Sequence, residues 1–307
     1  MTPQDVRAFF EAHWTVRQYQ NFQMPAAHLE TLLFAAHRAP TDATAQMYSL
    51  IRLENPELRR HIAELSGNPH LATSSEAFIV CADLHRLKSL LEHRGYAYGN
   101  WPAASVHFAI GDAVMAGQNL LLAAEMLGYR GCWIGGILNA LTPISALLEL
   151  PQGVFPFAGL TVGLSAEGPQ SRPRIQPELL FHTDKYHRPS AAELDVALER
   201  MAPISARGDW AQTLARYFAE GGTMEAREVV LRDFLTVQGF SHLYNLNELF
   251  ARAEALGYPE TVLRRKGSVV EAWIDEGRVA HRGEGVGASE ALTGAINAAL
   301  EASKSGG

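Results

Sequence analysis

Four separated pieces of this 307-residue chain carry side chains able to hold or act on a ligand. His13-Trp14-Thr15-Val16-Arg17 sets a ring nitrogen, a hydroxyl and a guanidinium just past a predicted helix. Ala39-Pro40-Thr41-Asp42-Ala43-Thr44-Ala45-Gln46 is a short polar loop leading into a strand. Gly131-Cys132-Trp133-Ile134-Gly135-Gly136 is a strand ending in two glycines, whose backbone N–H groups are left open. Ser171-Arg172-Pro173-Arg174 holds two guanidiniums apart across a stiff residue. Taken singly, each has an ordinary reading: a solvated loop for the two arginines, a tight turn for the two glycines. No His-Glu-x-x-His or Cys-x-x-Cys spacing occurs among the 12 histidines and two cysteines, so no zinc set is expected. His182 and His187 are the nearest approach to a pair and read as loop residues.

The elements that must position these pieces alternate between helix and strand as far as residue 165. Helices are predicted over 3–13 and 25–38, with Pro25 at a first turn, and strands over 48–53 and 77–82. The second strand is a nearly continuous apolar run, as for a strand covered on both faces. Residues 112–127 are apolar almost all round, which predicts a helix buried against a core or a second subunit and closed by Gly128. Short strands over 132–134 and 157–162 flank a short helix at 143–148. Residues 165–189 are polar and punctuated by proline, an extended surface segment, and helices return over 190–201, 209–219 and 224–238. Beyond residue 240 the pattern changes to helix (245–256), three strand-length pieces (260–265, 268–275, 278–283), a glycine-rich turn and a helix from about Ser289.

Composition narrows the function. The chain has 26 Lys and Arg against 33 Asp and Glu, a net charge of −7, with 47% hydrophobic and 19% charged residues. That balance predicts folded domains, and the acidic excess argues against a nucleic-acid-binding role, which needs surplus cations. Cys81 and Cys132 sit in apolar runs and give no disulfide framework. The N-terminus lacks a basic, apolar leader, and the longest apolar stretch, 120–127, is far shorter than the roughly 20 residues of a membrane span. A cytoplasmic location away from membranes is the expectation.

Up to about residue 240 the order and spacing of the motifs resemble the FMN-dependent nitroreductase family, in its branch of NADPH-dependent, oxygen-insensitive nitroreductases and flavin reductases. The phrase from Gly111-Asp112-Ala113 through Gln118-Asn119-Leu120 to Ala124-Glu125-Met126-Leu127-Gly128 is similar to that family's central dimer helix. Cys132-Trp133-Ile134-Gly135-Gly136-Ile137, Leu150-Pro151, the strand from Phe157 to Gly163, Arg172-Pro173-Arg174 and the closing helix over 231–240 follow in the family's order.

The resemblance implies an α+β fold with a central mixed or antiparallel sheet flanked by helices over 1–240, and the residue pattern adds a small α-β-β-β-α domain over 241–307. It implies FMN as cofactor, NADPH or NADH as reductant, a homodimer, and a small aromatic electron acceptor. Arg17, Arg172 and Arg174, with His13, would surround the FMN phosphate, which suits guanidinium forks. Thr15, Gln46 and Asn68 would meet the pyrimidine edge of the ring, and the backbone of Trp133, Ile134, Gly135 and Gly136 its opposite face. Trp14 and Thr44 fall at cofactor positions where that branch carries Arg, and Ser or Asn; Trp14 therefore predicts a missing cation. The segment expected to meet the 2′-phosphate of NADPH is short, with Arg207 as its candidate. Reduction would follow ping-pong kinetics with the chemistry carried by the flavin. The alternatives are a flavin-binding sensor without enzymatic activity, or an interaction protein that has lost FMN.

Residues 245–302 resemble a double-stranded-RNA-binding domain in element order. The lysines that hold phosphates in that family are replaced by Ala288, Ser289 and Leu292, and the segment 241–307 has 7 basic against 9 acidic residues. A module for packing or protein contact is expected there.

Overall fold

The computed structural model describes residues 1–99, 101–170, 172–205, 208–240, 250–251, 253–254, 261–266, 269–274, 281–285 and 291–298. The chain divides into two compact units, one of residues 1–100 and 104–238, the other of 101–103 and 239–307.

In the first unit, α1 (Pro3–Glu11) and α2 (Ala26–His37) precede β1 (Tyr48–Arg52). The α1 start is fixed by a reciprocal cap, Thr2 accepting from the Asp5 N–H while the Asp5 carboxylate accepts from the Thr2 N–H. Then come α3 (Pro56–Ser66), α4 (His70–Thr73), β2 (Glu76–Asp83) and α5 (His85–His93). α6 (Pro102–Met126), β3 (Arg130–Ile134), α7 (Leu141–Leu147) and β4 (Val154–Gly163) complete the α/β part. The segment 165–189 is irregular apart from one 3-10 turn at Pro177–Leu179, and α8 (Ala191–Met201), α9 (Trp210–Phe218) and α10 (Thr223–Val237) follow.

The sheet is antiparallel throughout, in the order β1-β2-β4-β3. All eight residues of β2 are buried, because β2 lies inside the sheet and is covered on both faces. α2 and α6 close one face, where Leu32 and Ala36 meet Phe78, Val80, Leu120 and Leu160. Burial of each such side chain contributes about 1.5–3 kcal/mol. Small residues let α6 come close: a methyl group at Gly131 would stand 2.6 Å from the Leu121 Cδ1.

α6 begins ten residues earlier than the apolar pattern predicts and is not buried all round. Ala113, Ala116, Leu120 and Ala124 face the core, whereas Phe108 and Met126 are 41% and 65% exposed. It is the one described helix long and apolar enough to cross a membrane. Its two carboxylates, Asp112 and Glu125, are buried on partners within this unit, as suits a core helix.

In the second unit, β5 (Thr261–Lys266), β6 (Val269–Ile274) and β7 (His281–Gly285) form an antiparallel sheet in that order, and a helix spans 291–298. β7 starts three residues later than its expected position. Gly283 lies against this helix so closely that a methyl group there would stand 2.0 Å from the Ala291 carbonyl oxygen. The expected helix at 245–256 falls mostly outside the described residues, as do Arg207, Ala288 and Ser289.

Candidate functional site

α1 stops before Ala12, and the chain then runs along the sheet edge. The Val16 N–H donates to the Gly131 carbonyl at 3.1 Å and the Gln20 N–H to the Leu164 carbonyl at 2.9 Å, while Tyr19 bridges to Ser165. The first bond of this strip engages the outer edge of β3, and the other two run along the segment that leaves β4. Val16 is thereby buried, and Thr15 and Arg17 on either side of it are exposed. The Tyr19 hydroxyl, 2.9 Å from both the Val16 carbonyl and Thr161 Oγ1, fastens the strip to β4.

Arg17 and Arg172 come from distant parts of the sequence, yet both bear on one thiol. Burial pushes the Cys132 thiol up; Arg17 opposes the rise, Glu167 adds to it, and Arg172 opposes it again. Burial also holds the His70 imidazole below the usual histidine range, and Arg17 is the second cause. Among the described residues no ion pair engages Arg17, Arg172 or Arg174. Glu167, the carboxylate nearest in effect, spends one oxygen on the backbone N–H groups of Arg17 and Gln18. Arg174 folds back on its own turn, Nη1 donating to the carbonyls of Arg172 (3.1 Å) and Pro173 (3.2 Å). Glu167 has no motif in the sequence, since its work is to hold backbone.

His13 Nδ1 lies 2.6 Å from the buried Glu125 Oε1 of α6. A buried carboxylate on one ring nitrogen fixes the imidazole and leaves its other nitrogen free to face a ligand. The Arg130 guanidinium stands over the Trp14 ring, 4.5 Å from its centre, so a positive charge sits against Trp14.

Thr44 and Gln46 ride on a strained loop. Ala43, Thr44 and Gln46 have φ of +47°, +56° and +52°, in the left-handed region that side chains disfavour. Both oxygens of Asp112 hold this loop, accepting the N–H groups of Asp42 and Met47, each at 2.9 Å. The Thr44 hydroxyl and the Gln46 amide bond only within the loop and are exposed. Gln46 also lines a cavity of about 320 Å3 with Leu33, His37, Tyr48 and Arg86. No hydrogen bond or ion pair between described residues joins this loop to Arg17 or Arg172.

Asn68 and Gly136 are brought together. The Asn68 amide donates to the Ser66 carbonyl at 2.6 Å, and a methyl group on Gly136 would stand 2.0 Å from that amide nitrogen. Asn68 and the end of α3 therefore require glycine at 136. At Gly135 a methyl group meets nothing within 4 Å. Ile134 is 2% exposed and packs on Gly159, leaving only its backbone for a ligand. The Trp133 indole turns toward α6, its N–H donating to Gln118 Oε1 at 3.1 Å. With Gln118, Gly135, Val114, Leu138 and Leu235 it borders an apolar cavity of about 500 Å3.

The chain is similar to known proteins over most of its length. A model of the nitroreductase family matches residues 11–164. A Cr(VI) reductase of Pseudomonas sp. (strain G-1) is 30% identical over 245 residues, which cover 77% of this chain and 99% of that protein. An NADPH-dependent FMN reductase of Bacillus subtilis is 33% identical over 178 residues, covering 57% of this chain and 72% of that one. Among solved structures, the NfrA1 nitroreductase of B. subtilis superposes with a TM-score of 0.71 at 25% identity, over 76% of this chain and 98% of its own. None of these relatives lends support to the RNA-binding resemblance of the last 60 or so residues. The match of half the chain to the family model, the full-length relative and the shared fold lead to one conclusion: this chain belongs to the nitroreductase family.

Proposed function

We propose that this chain is an FMN-dependent NAD(P)H oxidoreductase that reduces planar, electron-poor acceptors such as nitroaromatics, quinones or free flavins, and that it works as a homodimer. The observation that carries the reading is the match to the nitroreductase family over residues 11–164, joined by guanidiniums at Arg17 and Arg172 that no described carboxylate pairs. That donor set fits a phosphate, which is dianionic and favours guanidinium forks. Similarity to an NADPH-dependent FMN reductase supports the same cofactor and reductant.

When bound, FMN supplies the hydride chemistry. The chain binds and orients. Arg17 and Arg172 would take the phosphate, Glu125 fixes the His13 ring, and Arg130 of β3 sets a further cation over Trp14. Asn68, held against Gly136 by its bond to the Ser66 carbonyl, offers an amide oxygen to the ring edge. Thr15, Thr44 and Gln46 have exposed polar side chains available to the ring. The exposed apolar side chains of α6, Phe108, Met115 and Met126, favour a second copy as the partner of that helix.

The test is the colour of the purified protein. A yellow preparation bleached by NADPH or NADH under anaerobic conditions is expected. Yellow protein that neither nucleotide bleaches would instead be a flavin-binding sensor, and colourless protein that takes up no added FMN would leave only an interaction role.

A further inference from the structure

We infer that Asp112 is a positioning residue for the flavin: its buried carboxylate sets the loop 41–47 in the one conformation that presents Thr44 and Gln46 to the ligand. This rests on the proposed role of that loop at the cofactor.

Asp112 is fully buried on a largely apolar helix, where a carboxylate survives only if its oxygens are satisfied. Each oxygen takes one backbone N–H, from Asp42 and from Met47, so the two ends of the loop are tied to a single group. Between them lie three of the five non-glycine residues with positive φ among the described residues. Such conformations persist only where the surroundings enforce them, and they collect at ligand sites. A second restraint acts from α5, where Arg86 donates to the carbonyls of Gln46 and Tyr48 and is itself paired with Asp83. A third comes from α6 again, the Asn119 amide donating to the Ala35 carbonyl at the end of the helix that leads into the loop (3.2 Å).

Two carboxylate oxygens are what the loop needs. An amide in the same place offers one acceptor and turns its NH2 toward the other N–H, which loses its carboxylate partner. The loop would then relax toward negative φ, moving Thr44 and Gln46 while the sheet and α6 stay in place.

The experiment is Asp112→Asn in the full-length protein, read by hydrogen exchange at the Asp42 and Met47 amides and by FMN titration of the apoprotein. Faster exchange confined to the loop is expected, with retained cooperative unfolding and FMN binding about tenfold weaker, the equivalent of one lost charge-assisted bond. In a Thr44→Ala/Gln46→Ala background the same change should cost less than about twofold, because the contacts it positions are already gone. Ala43→Gly should restore part of the affinity to D112N by removing the penalty of a left-handed alanine. Unchanged affinity in D112N, or an equal loss in both backgrounds, overturns the inference. If T44A/Q46A binds FMN as the wild type does, the loop is no part of the site and this inference falls while the cofactor reading stands. Wild-type protein that takes up no FMN overturns both. Should D112N fail to fold, Asp112→Glu keeps both acceptors but shifts them by one methylene, and it is read by the same two measurements against the same outcomes.

Discussion

Arg130 stacks its guanidinium on the Trp14 ring at 4.5 Å, so the residue that breaks the family pattern is also the platform for a cation. Substituting Trp14→Arg would set two like charges in contact where the present pair attracts. The expected outcome is a protein less stable by about 1–2 kcal/mol, the worth of the lost cation–π contact plus some repulsion. Arg130→Gln in the W14R background should recover only the repulsive part of that loss. Urea denaturation of the four proteins in that cycle measures the coupling, and strictly additive effects would dissolve the pair as a stabilising unit.

The arginines make a second prediction, specific to the cofactor. Arg17→Ala should weaken FMN binding by about 1.5–3 kcal/mol, as for a charge-assisted hydrogen bond, and Arg172→Ala similarly. Raising salt should weaken wild-type binding more than binding by the double variant, because the screened charges are the ones removed. Fluorescence titration of apoprotein decides it. Unchanged affinity in R17A removes that residue from the site.

His70 gives a pH signature. Burial holds its imidazole below the ordinary value of 6.5, Arg17 adds to the effect and Glu167 opposes it, while Nε2 has no hydrogen-bond partner among the described residues. Its value is thus lower in the folded than in the unfolded chain, so the unfolded chain binds the extra proton first as the solution is acidified. The stability contribution is whole above about pH 6.5 and declines as the pH falls from there toward the folded-state value. His70→Gln should flatten that part of the stability–pH curve. Inorganic phosphate or FMN bound at Arg17 should move the His70 resonance midpoint upward in NMR titrations, since the ligand neutralises one of the causes. A midpoint insensitive to both ligands would place the anion elsewhere.

Much of this architecture is visible in the residue pattern, and the exceptions share a physical reason. Phe78-Ile79-Val80-Cys81 reads as a doubly covered strand and is one, because continuous apolarity has few other uses. Gly128 ends α6 with φ of +86°, as a C-terminal glycine does. α3 goes unread despite its signals: Asn55 caps it, Pro56 opens it and Gly67 closes it at φ +69°, but its apolar face is narrow. At the site, Arg17 and Arg172 are picked out by the order and spacing of the motifs around them, not by either residue alone. Asp112 and Glu167 do not, because each serves backbone N–H groups, and a carboxylate bonded to main chain leaves no partner side chain to mark it. The reason for Gly136 is likewise hidden in the sequence, because Asn68 lies nearly 70 positions away and meets it only after folding.

That contact makes adjacent glycines behave differently. Gly136→Ala would drive a methyl group to within 2.0 Å of the Asn68 amide and 2.5 Å of the Ser66 carbonyl oxygen, which is backbone. The Asn139 amide also donates to that carbonyl at 3.2 Å, so the end of α3 cannot yield without breaking a second bond. Overpacking of this kind costs about 1–3 kcal/mol. Gly135→Ala adds its methyl to open space and should leave the melting temperature nearly unchanged. Because Asn68 is displaced only by the first substitution, FMN affinity should fall in G136A. Any loss in G135A would have to come from direct contact between the new methyl and the flavin. Thermal melts with and without FMN separate the two effects: a lowered apoprotein melt marks the packing clash, and a reduced ligand-induced rise marks the loss at the cofactor. If both variants melt alike in the apoprotein, the close approach of Gly136 to Asn68 is not what selects glycine there.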